Sequence, residues 1–240
     1  MQWNTCIMKL EQRRSPIILF VYRRIPENTI KSLLLNDIVQ ESELFIFSDG
    51  YKNNMDKNDV LEVRKYLKSI KGFKSINITE TSKNKGLANS IISGVTQVLN
   101  EYERVIVLED DLVVSKDFLE YMNNALEFYK DDLKIWSISG YGPKLRFIEK
   151  EDKDIYLSQR GSSWGWATWK DRWETIDWDV KDFNKLKKDI VLRKNFELGG
   201  NDLYKMLELQ ILGKIDSWAV RWVFSQFIQK RFTVYPKISK

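Results

Sequence analysis

The 240-residue chain contains no histidine. Its absence removes the side chain most often used as a general base and a common metal ligand, so proton transfer and metal binding must rest on carboxylates. A single cysteine, Cys6, excludes an internal disulfide and fits a reducing compartment. Apolar runs are short. The strongest, IILFVY over residues 17–22, falls far below the roughly 20 residues of a membrane-spanning helix. The N-terminal stretch MQWNTCIMKLEQRRSP scatters its charges and has no apolar signal core. Repeats and low-complexity tracts are missing as well. These absences predict a soluble, cytoplasmic protein. Hydrophobic residues make up 43% of the chain, enough for a sizeable core in one large domain or two joined lobes.

The formal charge is +5 and the pI about 9.0. A basic balance suits nucleotide phosphates, nucleic acid or anionic lipid heads, although lysines spread along the chain also describe an ordinary solvated surface. Nine tryptophans are present.

The first 142 residues alternate strand and helix. SPIILFVYRR reads as a buried strand ending in two arginines, and PENTIKSLLLND as a helix capped by Asn28 or Thr29. ELFIFSDG is a second strand closed by Asp49-Gly50. NDVLEVRKYLKSI follows as a helix with Asp59 as its cap. FKSINITET, a Gly turn and helix in NKGLANSIISGVTQVLNEY, RVIVLEDD, a helix in DFLEYMNNALEFYKDD and KIWSISGY continue the series. This pattern predicts βαβ units: an α/β fold with a mostly parallel sheet flanked by helices. In such sheets ligands bind at the carboxyl ends of the strands. Those ends are Arg23-Arg24, Asp49, Lys83-Asn84-Lys85-Gly86 and Glu109-Asp110-Asp111.

After residue 142 the pattern changes to an excursion with a short strand (PKLRFIEKEDKDIYL), a Trp- and Gly-rich stretch, a basic helical stretch (KDFNKLKKDIVLRKN) and a terminal strand in RFTVYPKISK. The expected organisation is therefore one lobe over 1–142 and a smaller second lobe over 143–240. Trp166, Trp169 and Trp173 fall at helical spacing, as do Trp218 and Trp222, which points to core.

Three adjacent carboxylates at the end of an apolar strand repel one another, which raises a pKa or costs stability. A hard divalent cation relieves this while leaving most of its shell to water and substrate phosphates. Alternation along an extended chain puts Glu109 and Asp111 on one side and Asp110 on the other. The three could then divide among a metal, a ribose and a sugar. A solvated acidic turn is the plain alternative.

VIVLEDDLVVSKDFLEYMNNALEFYKDD followed by KIWSISGY resembles the metal-binding core of GT-A fold nucleotide-sugar glycosyltransferases. It is most similar to the N-acetylglucosaminyltransferase I family and related bacterial polysaccharide glycosyltransferases. Outside that segment the resemblance is one of order and short motifs over nearly the whole chain. It implies Asp111 as the direct ligand of Mn²⁺ (or Mg²⁺), Asp110 at the ribose and Glu109 at the transferred sugar. It implies Arg23 beside the base, Asp49 accepting from the uracil N–H, and Lys85 and Gly86 near the base and diphosphate. Read alone, these are also ordinary strand-end charges, a turn, and the start of a helix.

Transfer with inversion needs one carboxylate to take the acceptor proton. The resemblance places that base in the second lobe, before a P-x-I-S-like strand. Here the strand is YPKISK, and Asp216 in KIDSWAVRW is the first choice. Asp202 comes next, then Asp177 or Asp179. An N-cap for the following helix is the competing role for Asp216. Trp164, in a Gly-Ser turn, matches the family's G-x-G-W-like segment and is expected at the donor sugar. In that family the sequence continues past this strand into a loop that closes over the donor. The stop at YPKISK is therefore expected to be a truncation.

The sequence thus predicts an inverting, metal-dependent glycosyltransferase. It would use a nucleotide sugar, with UDP expected from the resemblance, and a glycan or lipid-linked saccharide acceptor. No nucleic-acid partner is expected. Peripheral contact with an anionic membrane is compatible with the charge, although no amphipathic anchor stands out. Two alternatives stay open: a metal-dependent phosphohydrolase or nucleotidyltransferase, against which the arginines ending strand one count, and a non-catalytic carbohydrate-binding module.

Overall fold

The computed structural model describes residues 14–145 and 152–240. Cys6, the N-terminal stretch and part of the excursion after Pro143 lie outside the described residues. A mixed eight-stranded sheet with helices on both faces runs through the molecule, in the order β3-β2-β1-β4-β7-β5-β8-β6.

The first half is built from β1 (Ile17–Val21), α1 (Glu27–Leu33), β2 (Glu43–Ser48), α2 (Lys57–Leu67), β3 (Ser75–Glu80), α3 (Leu87–Leu99) and β4 (Arg104–Glu109). All pairings among these four strands are parallel. β1 sits between β2 and β4, covered on both faces, and all five of its residues are buried. That is why IILFV reads as an unbroken apolar run rather than an alternating one. The chain winds outward from β1 through β2 to β3, then returns to place β4 on the other side of β1. The strand order therefore reverses between β1 and β4, and a crevice opens outside the carboxyl ends of the strands there.

The second half is α4 (Phe118–Phe128), β5 (Ile135–Ser139), β6 (Ile155–Ser158), β7 (Trp166–Trp169), α5 (Lys170–Trp173), α6 (Phe183–Lys188), α7 (Ile190–Phe196), α8 (Leu203–Ile211), α9 (Trp218–Ile228) and β8 (Phe232–Pro236). Here the simple alternation fails. β5 does not extend the parallel sheet beside β4, because β7 inserts antiparallel between them. β5 then pairs in parallel with β8, and β6 closes the edge antiparallel to β8.

The helical reading of Trp166 and Trp169 is also corrected. Both lie on β7, where a three-residue separation sends them to opposite faces. Trp169 joins the core under α1, α2 and α4. Trp166 joins the core under α3 and α9, stacked on Trp173 and packed against Trp218 and Trp222. A third apolar cluster holds α6–α9 together.

Two expected helix caps move. α1 starts at Glu27 behind Pro26, so Asn28 and Thr29 lie inside it. α2 starts after Asp56, and Asp59 lies within its first turn.

Candidate active site

The crevice at the reversal is a cleft of about 380 Å³ lined by residues from four strand ends, among them Tyr22, Asp49, Gly86, Glu109 and Asp110. β4 ends at Glu109, on the face shared with Val105 and Val107, so its carboxylate enters the cleft from the α3 side. It is largely buried and has no hydrogen-bond or ion-pair partner among the described residues. Burial, reinforced by Asp111 and then Asp110, pushes its pKa up to about 7. Asp110 leaves the strand. Its carboxylate accepts from the Tyr22 backbone N–H at 3.1 Å and its carbonyl from the Thr29 hydroxyl, which ties the ends of β4 and β1 together. Burial raises its pKa, and the Tyr22 N–H offsets part of that rise. Asp111 is half exposed, and the Arg24 guanidinium lies 3.4 Å away.

Asp49 is buried, and its carboxylate fastens the neighbouring turn. Oδ1 accepts from the N–H groups of Gly50 and Lys85 and from the Thr81 hydroxyl, while Oδ2 accepts from the N–H groups of Lys85 and Gly86. Arg64 of α2 braces the same corner by donating to the carbonyls of Ser48, Asp49 and Thr81. The turn passes so close that a Cβ on Gly50 would lie 2.6 Å from the Lys83 carbonyl carbon. Gly86 has φ +79°, a left-handed conformation that favours glycine, and opens α3.

Asp216 arrives from far along the chain. Its Oδ2 lies 3.4 Å from where a Cβ on Gly86 would sit, which puts the carboxylate beside the cleft. It does not cap α9; Ser217 does, accepting from the Val220 N–H. Asp216 is more than half exposed, with Arg221 at 3.9 Å. Of the other candidate bases, Asp179 is exposed and acts on Arg221, the guanidinium also nearest Asp216, and the remaining two are engaged elsewhere. Asp202 is held in a two-pronged pair by Arg160 at 2.6 and 2.8 Å, and Asp177 accepts from the N–H groups of Asp179 and Lys181.

Five expected site residues are not in the lining of this cleft: Asp111, which follows the lining residue Asp110, Asp216, which stands beside Gly86, and three that turn elsewhere. Arg23 turns its guanidinium to Asp56 at 2.6 Å. Lys85 contributes its backbone N–H, and its side chain is exposed. Trp164 lies in a second cavity of about 400 Å³, edge-on to Tyr141 with ring centroids 4.8 Å apart. Arg160, Tyr235 and the first turn of α9 (Ala219, Val220) also line that cavity. Asp216 precedes this turn, so it stands between the two cavities.

Sequence reasoning missed Tyr22, whose N–H holds Asp110 and whose hydroxyl donates to Asp56 at 2.7 Å. Its place at the end of the first strand was the available signal. It also missed Arg64, for which a mid-helix arginine gives no signal.

Among the described residues no three Asp, Glu or Cys side chains gather into a metal cage. The donor set suits a cation held by one carboxylate and completed by substrate oxygens. Asp111 is accessible for that role, and a positive charge there would offset the burial and, secondarily, the neighbouring negative charge that raise Glu109 and Asp110.

The family model described as the GNT-I family matches residues 7–185. None of the curated proteins matches. Among solved structures, 4-diphosphocytidyl-2C-methyl-D-erythritol synthase from Anaerococcus prevotii aligns over 94% of this chain and 88% of its own, at 13% identity and a TM-score of 0.38. The apo-form glycosyltransferase GlyE of Streptococcus pneumoniae aligns over 91% and 44%, at 10% identity and a TM-score of 0.38. Glucosyl-3-phosphoglycerate synthase from Mycobacterium tuberculosis, in complex with Mn²⁺, UDP and glucosyl-3-phosphoglycerate, aligns over 85% and 82%, at 10% identity and a TM-score of 0.38. TM-scores of this size do not bear on function.

Proposed function

The chain belongs to the GNT-I family of nucleotide-sugar glycosyltransferases, and from that premise we propose an inverting transferase that moves a sugar from a UDP-sugar to a hydroxyl of a glycan or lipid-linked saccharide. The observation that carries this reading is the convergence of Asp49, Gly86, Glu109 and Asp110 on one cleft, with Asp216 brought against Gly86.

In this reading the donor diphosphate lies over the ends of β1 and β4, beside the turn that Asp49 fastens. Asp110 faces the ribose, and Glu109 faces the hydroxyls of the transferred sugar. Asp111 would hold Mn²⁺ or Mg²⁺, which when bound supplies Lewis-acid stabilisation of the leaving diphosphate. Asp216 accepts the acceptor's hydroxyl proton as that oxygen bonds to the anomeric carbon. The bond from that carbon to the diphosphate oxygen breaks, and its electron pair leaves with the nucleoside diphosphate. The acceptor occupies the second cavity, with Trp164 and Tyr141 as its apolar wall. From there it presents its hydroxyl across the first turn of α9. A lipid-linked acceptor would bring the chain to a membrane surface. Among the described residues no helix is long and apolar enough to cross a membrane.

The test is calorimetric titration of UDP with and without Mn²⁺, for wild type and Asp111→Asn. Metal-dependent binding that the substitution abolishes is expected. Binding indifferent to both metal and substitution would overturn the assignment of this cleft.

A further inference from the structure

The helical cluster of the second half carries a surface that the transfer chemistry does not use. Helix α7 packs its Phe196 side into the third apolar core, with Leu192 and Arg193 half-buried beside it. A water-facing helix is expected to be polar on its other side. Here that side presents Ile190, Val191 and, in the turn after the helix, Leu198, which are 65%, 68% and 75% exposed. With Lys194 and Asn195 they follow i, i+1, i+4, i+5, i+8 spacing, one continuous outward stripe. Leu212, at the end of α8, is 61% exposed. Helices α7 and α8 pack together, with the Arg193 guanidinium of α7 over the Tyr204 ring of α8.

The sequence that carries the stripe is basic. Residues 181–198 hold six Lys and Arg against three Asp and Glu, and one of the acids, Asp189, is occupied as the cap of α7. Lys181, Lys185, Lys187, Lys188 and Lys194 are all exposed, and none makes an ion pair with another described residue.

We propose that this face docks on an anionic lipid bilayer, with Ile190, Val191 and Leu198 seated in the acyl boundary and the lysines among the headgroups. A nucleic acid would use the lysines but leaves three exposed aliphatic side chains without a partner. A second copy of the chain related by two-fold symmetry would oppose one set of lysines to another, which is repulsive. An anionic bilayer, charged at the headgroups and apolar beneath, satisfies both halves of the patch.

The experiment is co-sedimentation of the chain with phosphatidylcholine vesicles and with phosphatidylcholine vesicles containing phosphatidylglycerol, at low and high salt. Binding to the anionic vesicles that weakens with salt is expected, with little binding to the neutral ones. Lys187→Glu with Lys188→Glu should lower the partition coefficient on the order of tenfold or more. Ile190→Ser with Val191→Ser should lower it on a similar scale. All four side chains are exposed, so folding and UDP binding should be unchanged, and the result stands apart from the donor-site reading. Wild type left in the supernatant with anionic vesicles would overturn the proposal. So would variants that bind as well as wild type, or a dimer that Ile190→Ser with Val191→Ser dissolves in the absence of lipid.

Discussion

Replacing Asp49 separates two jobs that one carboxylate can do in this cleft: contacting the base of a bound nucleotide and holding the cleft wall in its absence. In the ligand-free protein it already accepts from three backbone N–H groups and one hydroxyl. The Gly50 N–H also reaches the Thr81 hydroxyl at 3.0 Å, so it survives the loss of Asp49. The N–H groups of Lys85 and Gly86 have no other acceptor among the described residues. A hydrogen bond to a charged group contributes about 1.5–3 kcal/mol net. Losing two, with some rehydration of the half-exposed turn, gives about 3–5 kcal/mol for Asp49→Ala. Asp49→Asn keeps one carbonyl but turns an NH₂ toward the donors and should cost about 2–3 kcal/mol. Urea denaturation of the ligand-free variants, at an unchanged m-value, measures this directly. UDP affinity should fall with it, because the turn carrying Gly86 is no longer fixed. A loss below about 1 kcal/mol in the ligand-free protein would refute the fastening role.

Arg172 is buried and donates to the carbonyls of Tyr129, Lys130, Asp132 and Ile135 where α4 ends, with its guanidinium over Trp169. Arg172→Ala should destabilise by about 3–5 kcal/mol in the same denaturation experiment. Gly50→Ala forces a Cβ to 2.6 Å from the Lys83 carbonyl carbon and 2.9 Å from the Lys83 and Asn84 backbone nitrogens, so backbone must shift, and both UDP affinity on calorimetric titration and the melting temperature should fall. Lys130 and Arg104 hold the Glu127 carboxyl down at about 2. A depressed carboxylate pKa contributes stability above its unfolded value, near 4.5, and loses it as pH falls toward 2. Denaturation midpoints of Glu127→Gln should therefore show a shallower decline over that window. The difference should be on the order of 1 kcal/mol, because the side chain is about one-third exposed.

Local pattern was sufficient for much of this protein. The unbroken apolar runs of β1 and β4 announced strands buried on both faces, and the charged residues ending them announced the edge where a cleft forms. Glu109, Asp110 and Asp49 were legible for that reason: a run length and a change of polarity are properties of neighbouring residues. The family resemblance followed from the same short stretch. What the sequence could not decide depended on residues distant along the chain. Trp166 and Trp169 satisfy a helical spacing as well as a strand, and only pairing with β4 and β5 chose between them. Whether Arg23 faces a ligand or Asp56 depended on where the start of α2 came to rest. Asp216 and Gly86 are 130 residues apart, and their meeting needed α9 to pack against α3 across the Trp166 core. Sequence spacing records which side chains share an element and a face. Which elements share an edge is set by burying all the apolar faces at once, and that is a property of the whole chain.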